Sequence, residues 1–143
     1  MNEDTIKLLK EVNSGCKNAT NSIEQVMGSV KSERLRQLLD ENNDEHISIG
    51  DKCHDLLNQY GEDEKDPPAM SKAFAWASTE LKLMLKGEDS EVASLMVDGC
   101  NMGIKSLSQY LNKYENADDE SKELAAGLIQ AEQTFMDNLL GYL

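Results

Sequence analysis

The sequence predicts an all-α protein, a bundle of four long helices with a fifth helical tract in mid-chain. Three observations predict it. Apolar residues recur at alternating steps of three and four over some two dozen residues at a time, the spacing that draws one stripe down a helix. Pro67 and Pro68 are the only prolines and are adjacent, so long tracts rich in the helix formers Leu, Lys, Glu, Ala, Met and Gln run uninterrupted on both sides. Finally, the stretch Val97 to Tyr110 repeats the pattern of Asn13 to Val26. Gly99-Cys100 answers Gly15-Cys16, Ser106-Leu107 answers Ser22-Ile23, and Gln109 answers Gln25, all at one constant offset. The chain therefore reads as two similar halves.

The first helix is expected from about Asp4 to Met27, with Ile6, Leu9, Val12, Cys16, Ala19, Ile23 and Val26 on its stripe. Gly28-Ser29 breaks it, and Ser32 is placed to cap the next helix. That second stripe reads Leu35, Leu39, Asn42, His46, Ile49, Cys53, Leu56 and Tyr60, so its apolar face has a polar centre. Gly61 to Pro68, with five charged residues and the proline pair, reads as an exposed loop. A third tract over 69–86 carries Met70, Phe74, Ala77, Leu81 and Leu85 on one stripe, with Ala73, Trp76 and Leu83 on a second beside it. Gly87 fits its C-terminal cap, and Asp89 or Ser90 the N-cap of the following helix. That helix repeats the register of the first in Ala93, Met96, Cys100, Gly103, Leu107, Tyr110 and Tyr114. After an acidic turn over Glu115 to Glu120, the last helix carries Leu124, Leu128, Ala131, Glu132, Phe135, Leu139 and Tyr142.

At 143 residues the chain is the size of one domain, spanning 1–143, with enough length to bury a core unaided. Its net charge of −13 repels phosphate backbones and anionic headgroups, and its Lys and Arg form no stripe, which argues against nucleic acid and membrane partners. No run is apolar enough to span a bilayer, and Met1 leads into Asn2-Glu3-Asp4 rather than a basic and then apolar leader, so a cytoplasmic protein is expected. Three cysteines without CxxC spacing suit reduced thiols. No Gly-rich phosphate loop, Gly-x-Ser-x-Gly elbow or supported Ser/His/Asp set is present, which points away from an enzyme. The acidic runs lack the order of a calcium loop and read as solvated turns.

A helix of 25 residues is roughly 38 Å long, so after one hairpin the third tract has the length to carry the chain back along the bundle before a second hairpin. Two hairpins joined by a long crossover resemble the ferritin-like superfamily, particularly small bacterial members whose crossover is a helix. The resemblance implies a ferritin-like four-helix bundle with an additional crossover helix. In di-iron members of that superfamily, two helices each give a Glu and the other two each give a Glu-x-x-His pair. Here the first two positions fall at or next to Cys16 and Cys100, one pair at Asn43 and His46, and the other at Glu132 and Phe135. Only His46 and Glu132 keep the expected residue type. The resemblance thus implies a degenerate di-iron site and a non-catalytic binding or interaction protein, unless a one-turn shift brings in Glu24, Glu41 or Glu45.

No cofactor is expected on this reading. The alternative is a rebuilt centre in which Cys16, His46, Cys100 and Glu132 hold a single zinc or iron ion for binding or redox chemistry. Against it, Cys16 and Cys100 also suit small core positions, and His46 suits a buried hydrogen-bonded pair with Asn42, Asn43 or Glu132. Glycines 15, 50, 99, 103 and 127 lie inside expected helices, each costing up to about 1 kcal/mol relative to Ala. They imply either close helix approach or a cavity for a small ligand. The second stripe of the third tract leaves Phe74, Trp76 and Leu83 as an apolar patch, which suggests a homo-oligomer formed through that tract.

Overall fold

The computed structural model describes residues 2–62 and 88–143, and four long helices account for nearly all of them. Helix α1 spans Glu3–Met27, α2 Glu33–Gln59, α3 Asp89–Lys113 and α4 Asp119–Leu139, followed by a 3-10 turn over Leu140–Tyr142. The described residues contain no strand. The expected helix over 69–86, with Phe74, Trp76 and Leu83, lies outside the described residues.

Three of the four helices begin at side-chain caps. Asn2 accepts from the Thr5 N–H at 2.8 Å, Ser32 from Leu35 N–H at 3.2 Å, and Asp118 from Ser121 N–H at 2.8 Å. The third start differs from expectation. Its N-cap is Glu88, which makes no side-chain cap bond, and Asp89 is already inside α3. The Asp89 carboxylate reaches across instead, accepting from the Lys31 N–H at 2.8 Å and the Ser32 N–H at 2.9 Å. Those are main-chain donors in the turn between α1 and α2.

These bonds also fix polarity. The start of α3 sits beside the α1–α2 turn. At the other end, the Asn116 N–H donates to Asp4 and the Asp118 N–H to the Thr5 hydroxyl, so α3 finishes where α1 begins. Helices α1 and α4 therefore run one way and α2 and α3 the other. Packing is most extensive within the pairs α1–α2 and α3–α4, and the two hairpins meet mainly through α2 with α4 and α1 with α4.

The core is divided. One apolar cluster takes Ile23 and Val26 of α1, Leu35 and Leu39 of α2, Met96 and Cys100 of α3, and Phe135 and Leu139 of α4. The other takes Leu9 and Val12, Ile49 and Cys53, Leu107, Ala125 and Leu128 from the same four helices. Between them α2 contributes Asn42 and His46, and α4 contributes Glu132, all buried. Each helix thus carries two apolar stretches separated by a polar or small-residue waist.

Three expected core positions shift at helix ends. On α2, Leu57 is buried while Leu56 is only partly so and Tyr60 is 52% exposed. On α4, Ala125 is buried in place of Leu124. A strict three-four alternation averages 3.5 residues per turn, and a straight helix with 3.6 drifts off it within a few turns.

The internal glycines have different surroundings. A Cβ on Gly50 would lie 3.3 Å from Cys16 Cβ, so here α1 and α2 approach closely. At Gly127 it would meet nothing within 4 Å. Gly127→Ala should therefore gain helix propensity alone, stabilising the fold by about 1 kcal/mol. Gly50→Ala should destabilise it, because both clashing atoms are fixed to their backbones. Thermal unfolding of the two variants checks this, and equal stabilisation would mean that α1 and α2 are not tightly apposed.

Candidate functional site

The waist is organised by His46. Its Nδ1–H donates to the Asn42 carbonyl oxygen, one turn earlier on α2, at 2.7 Å. Its Nε2 is hydrogen-bonded to Glu132 Oε1 across the bundle. His46 is 1% exposed and Glu132 8%, so water does not compete for this pair. Burial works against a charged imidazole, but the hydrogen bond and charge of Glu132, aided by the Asn42 carbonyl, outweigh it and raise the His46 pKa above its usual 6.5. A protonated His46 then donates from both nitrogens, which matches two acceptors.

The other two candidate residues join this layer as thiols. Cys100 is hydrogen-bonded to Glu132, and Cys16 lies beside Cys53 and close enough to Glu132 to feel its charge. Burial first, and these neighbours second, push both thiols well above the usual cysteine range. They are therefore neutral S–H groups in this arrangement, whereas a metal takes thiolate. Cys100, His46 and Glu132 form one hydrogen-bonded network, with Cys16 at its edge. Among the described residues, no group of three or more His, Cys, Asp or Glu side chains is arranged to hold a metal ion.

The residues present do not fit a di-iron centre. Phe135 is a buried member of an apolar cluster and Asn43 is half-buried. The glutamates one turn away do not replace the missing ligands, because Glu24, Glu41 and Glu45 are all exposed.

Beside this network lies a cavity of about 120 Å³ between α1 and α3. Its walls are the repeated stretch itself. Gly15, Ser22 and Ile23 of α1 face it, as do Gly99, Ser106 and Leu107 of α3, and Glu132 and Asn42 close its floor. A Cβ on Gly103 would lie 3.6 Å from Glu132 Oε2, and one on Gly99 would meet nothing within 4 Å. The glycines of α1 and α3 thus open space, while Gly50 permits contact. The cavity reaches the surface at Gly99 and at Met102, which is 37% exposed.

Three buried polar atoms of the lining residues have no hydrogen-bond partner: Glu11 Oε2, Asn18 Nδ2 and Asn42 Oδ1. Asn42 is the deepest, 5% exposed. Glu11 is hydrogen-bonded to the Tyr110 hydroxyl. Burial raises the Glu11 carboxyl, opposed by that bond and by Lys113, while burial and the Glu11 charge push Tyr110 up to about 12. Glu11 and Asn18 escape a sequence reading because isolated polar residues beside an apolar stripe look like a solvated flank. A signal is nevertheless there: residues 11, 15, 18 and 22 form a second, parallel line of polar and small side chains on α1.

The His46–Glu132 pair makes a stability prediction with a sign. A raised histidine pKa contributes stability that is fully present below the unfolded value near 6.5 and is lost as pH rises through the folded value. Urea unfolding should show stability falling over that window, with this component of the slope absent in His46→Leu. The single variant leaves Glu132 buried without its partner and should cost about 3–5 kcal/mol, much of it recovered in His46→Leu/Glu132→Leu. A flat pH response in the wild type would count against the pair.

No family model and no curated relative matches this sequence. The fold is shared with a solved structure, the crystal structure of a DUF305 fragment from Deinococcus radiodurans. The likeness has a TM-score of 0.77 and covers 98% of this chain and 95% of that one, at 11% sequence identity. At that identity, the comparison shows an all-α four-helix bundle in common and nothing about activity.

Proposed function

We propose that this chain is a ferritin-like bundle without a di-iron centre, acting as a non-catalytic, cytoplasmic protein that binds a small molecule between α1 and α3. The ferritin-like reading is supported by the polarity of the helices and by the chain leaving α2 and entering α3 at opposite ends of the bundle, as a long crossover requires. The binding reading rests on one observation above the rest. Asn42 belongs to the cavity lining, and its Oδ1 is buried without a partner, where an unsatisfied acceptor costs about 1–3 kcal/mol. A turn of the Asn42 amide toward the cavity would give that oxygen a ligand donor. A cavity of about 120 Å³ is similar to apolar cavities that hold benzene-sized molecules.

Asn42→Leu tests this reading. The backbone carbonyl that accepts the His46 hydrogen bond is retained, and only the side-chain amide with its orphaned oxygen is removed. The variant should be more stable than the wild type by about 1–3 kcal/mol in denaturant unfolding. A destabilised variant would make Asn42 a structural residue and sink the reading.

The second reading is the rebuilt metal centre, favoured by Cys16, His46 and Cys100 all interacting with Glu132. It requires both thiols to lose their protons to a single zinc or iron ion. Metal content of untagged protein purified anaerobically without chelator decides it. Near-stoichiometric metal lost in both Cys16→Ser and His46→Ala would establish the centre. No metal, even after incubation with zinc or iron, would remove it.

A further inference from the structure

A charged ligand has nothing to gain in the cavity between α1 and α3, because the charged groups of its lining are already engaged. Glu132 is hydrogen-bonded to His46 and to Cys100, and Glu11 to the Tyr110 hydroxyl with the charge of Lys113 acting on it. An anion would meet these carboxyl groups without a counter-ion, since no Lys or Arg stands among the described lining residues. A cation would have to take Glu132 from a histidine seated on it, leaving that imidazole buried without its partner. The unpartnered atoms of Glu11, Asn18 and Asn42 do not make up for this, because each is closed off from the space as the side chains stand.

What the lining does present is hydrocarbon and sulfur. Ile23, Leu107, Leu128 and Phe135 supply apolar wall, Met96 stands with them, and Met102 is at the mouth beside Gly99. Thioether sulfurs and a phenyl ring make favourable contacts with aromatic edges, and the unbranched methionine side chain adapts to the outline of what it touches. The volume of about 120 Å³ is room for one compact ring and too little for a long chain. At Gly99 nothing stands within 4 Å of where a Cβ would be, so the missing side chain leaves the space open.

We propose that the cavity takes one compact, uncharged aromatic ring, held by dispersion and the exclusion of water and not by a salt link. Ile23, Leu107 and Phe135 form its walls, and the thioethers of Met96 and Met102 are the adaptable part of its surround. Such a ring leaves the bond between His46 and Glu132 whole and leaves Glu11 with Tyr110. This proposal rests on the cavity being a binding site and adds the class of ligand.

The test is titration of the full chain with benzene, followed by proton–carbon NMR of the methionine methyl groups, whose signals are shifted by the ring current of a nearby aromatic. Met96 and Met102 line the cavity, whereas Met27 and Met136 pack against the apolar core outside the lining and serve as internal controls. Two variants accompany it. Gly99→Leu puts a side chain into the space, and Gly127→Leu makes the same change at an exposed glycine outside the lining, where a Cβ also meets nothing. Benzene should shift Met96 and Met102 saturably and leave Met27 and Met136 in place, with binding about tenfold or more weaker in Gly99→Leu and unchanged in Gly127→Leu. Benzylammonium, which adds a charge, should bind at least about tenfold more weakly than benzene, and phenol, which adds one donor, about as tightly. Shifts spread over all four methionines, or equal binding in Gly99→Leu, would reduce the effect to unspecific partition and overturn the proposal. If benzylammonium or phenol shifts the same two methyls more than about tenfold more tightly than benzene and loses this in Gly99→Leu, the cavity is a binding site but the apolar class is wrong. If no probe moves Met96 or Met102, the apolar class is overturned, and a destabilised Asn42→Leu then takes the binding reading with it.

Discussion

One buried hydrogen bond, from His46 to Glu132, governs the arrangement of everything around it. It joins the second helix of one hairpin to the second helix of the other, at the height where the apolar core is interrupted. A buried ion pair is seldom a net source of stability compared with apolar packing, but it is costly to break and tolerant of only one geometry. Sliding α4 by one turn against α2 would strand both groups without water. The pair therefore acts as a registration point, and the neutral thiols of Cys16 and Cys100 fill the space beside it.

The groove between α1 and α3 follows from what that layer does not fill. Small residues repeated on both helices line it, and Glu11, Asn18 and Asn42 of its lining each keep a buried polar atom without a partner. Helix propensity and polar satisfaction are thus both given up along the same stretch of the bundle. Gly50 is the contrast. Its missing Cβ is accounted for by contact with Cys16, so it belongs to the packing of the first hairpin alone.

Much of this was legible in the residues. The stripe of α1, the Ser32 cap and the polar centre of α2 follow from spacing and side-chain chemistry, and the bounds of the described helices fall within a residue or two of expectation, except that Tyr142 lies in the 3-10 turn beyond the end of α4. His46 and Glu132 stood out because both retain residue types that the ferritin-like pattern places near one another. Other features depend on three dimensions. Leu57 replaces Leu56 because a fixed template ignores helical drift. Asp89 looks like an ordinary cap until the neighbouring turn is in place. Glu11 and Asn18 resemble surface residues until α3 covers them. The duplication Gly15-Cys16 and Gly99-Cys100 was visible as a repeat, but only the structure turns it into two walls facing one groove.

The Asp89 carboxylate has a wider consequence. By accepting from two main-chain donors in the α1–α2 turn, it latches the first residue of the second hairpin onto the bend of the first, and Asp4 and Thr5 latch the opposite end. Alignment of the hairpins is thus written into contacts at their tips and at the waist, each between residues far apart in sequence. A slip of one hairpin along the other would have to break all three sets together, so the anchors resist sliding as one.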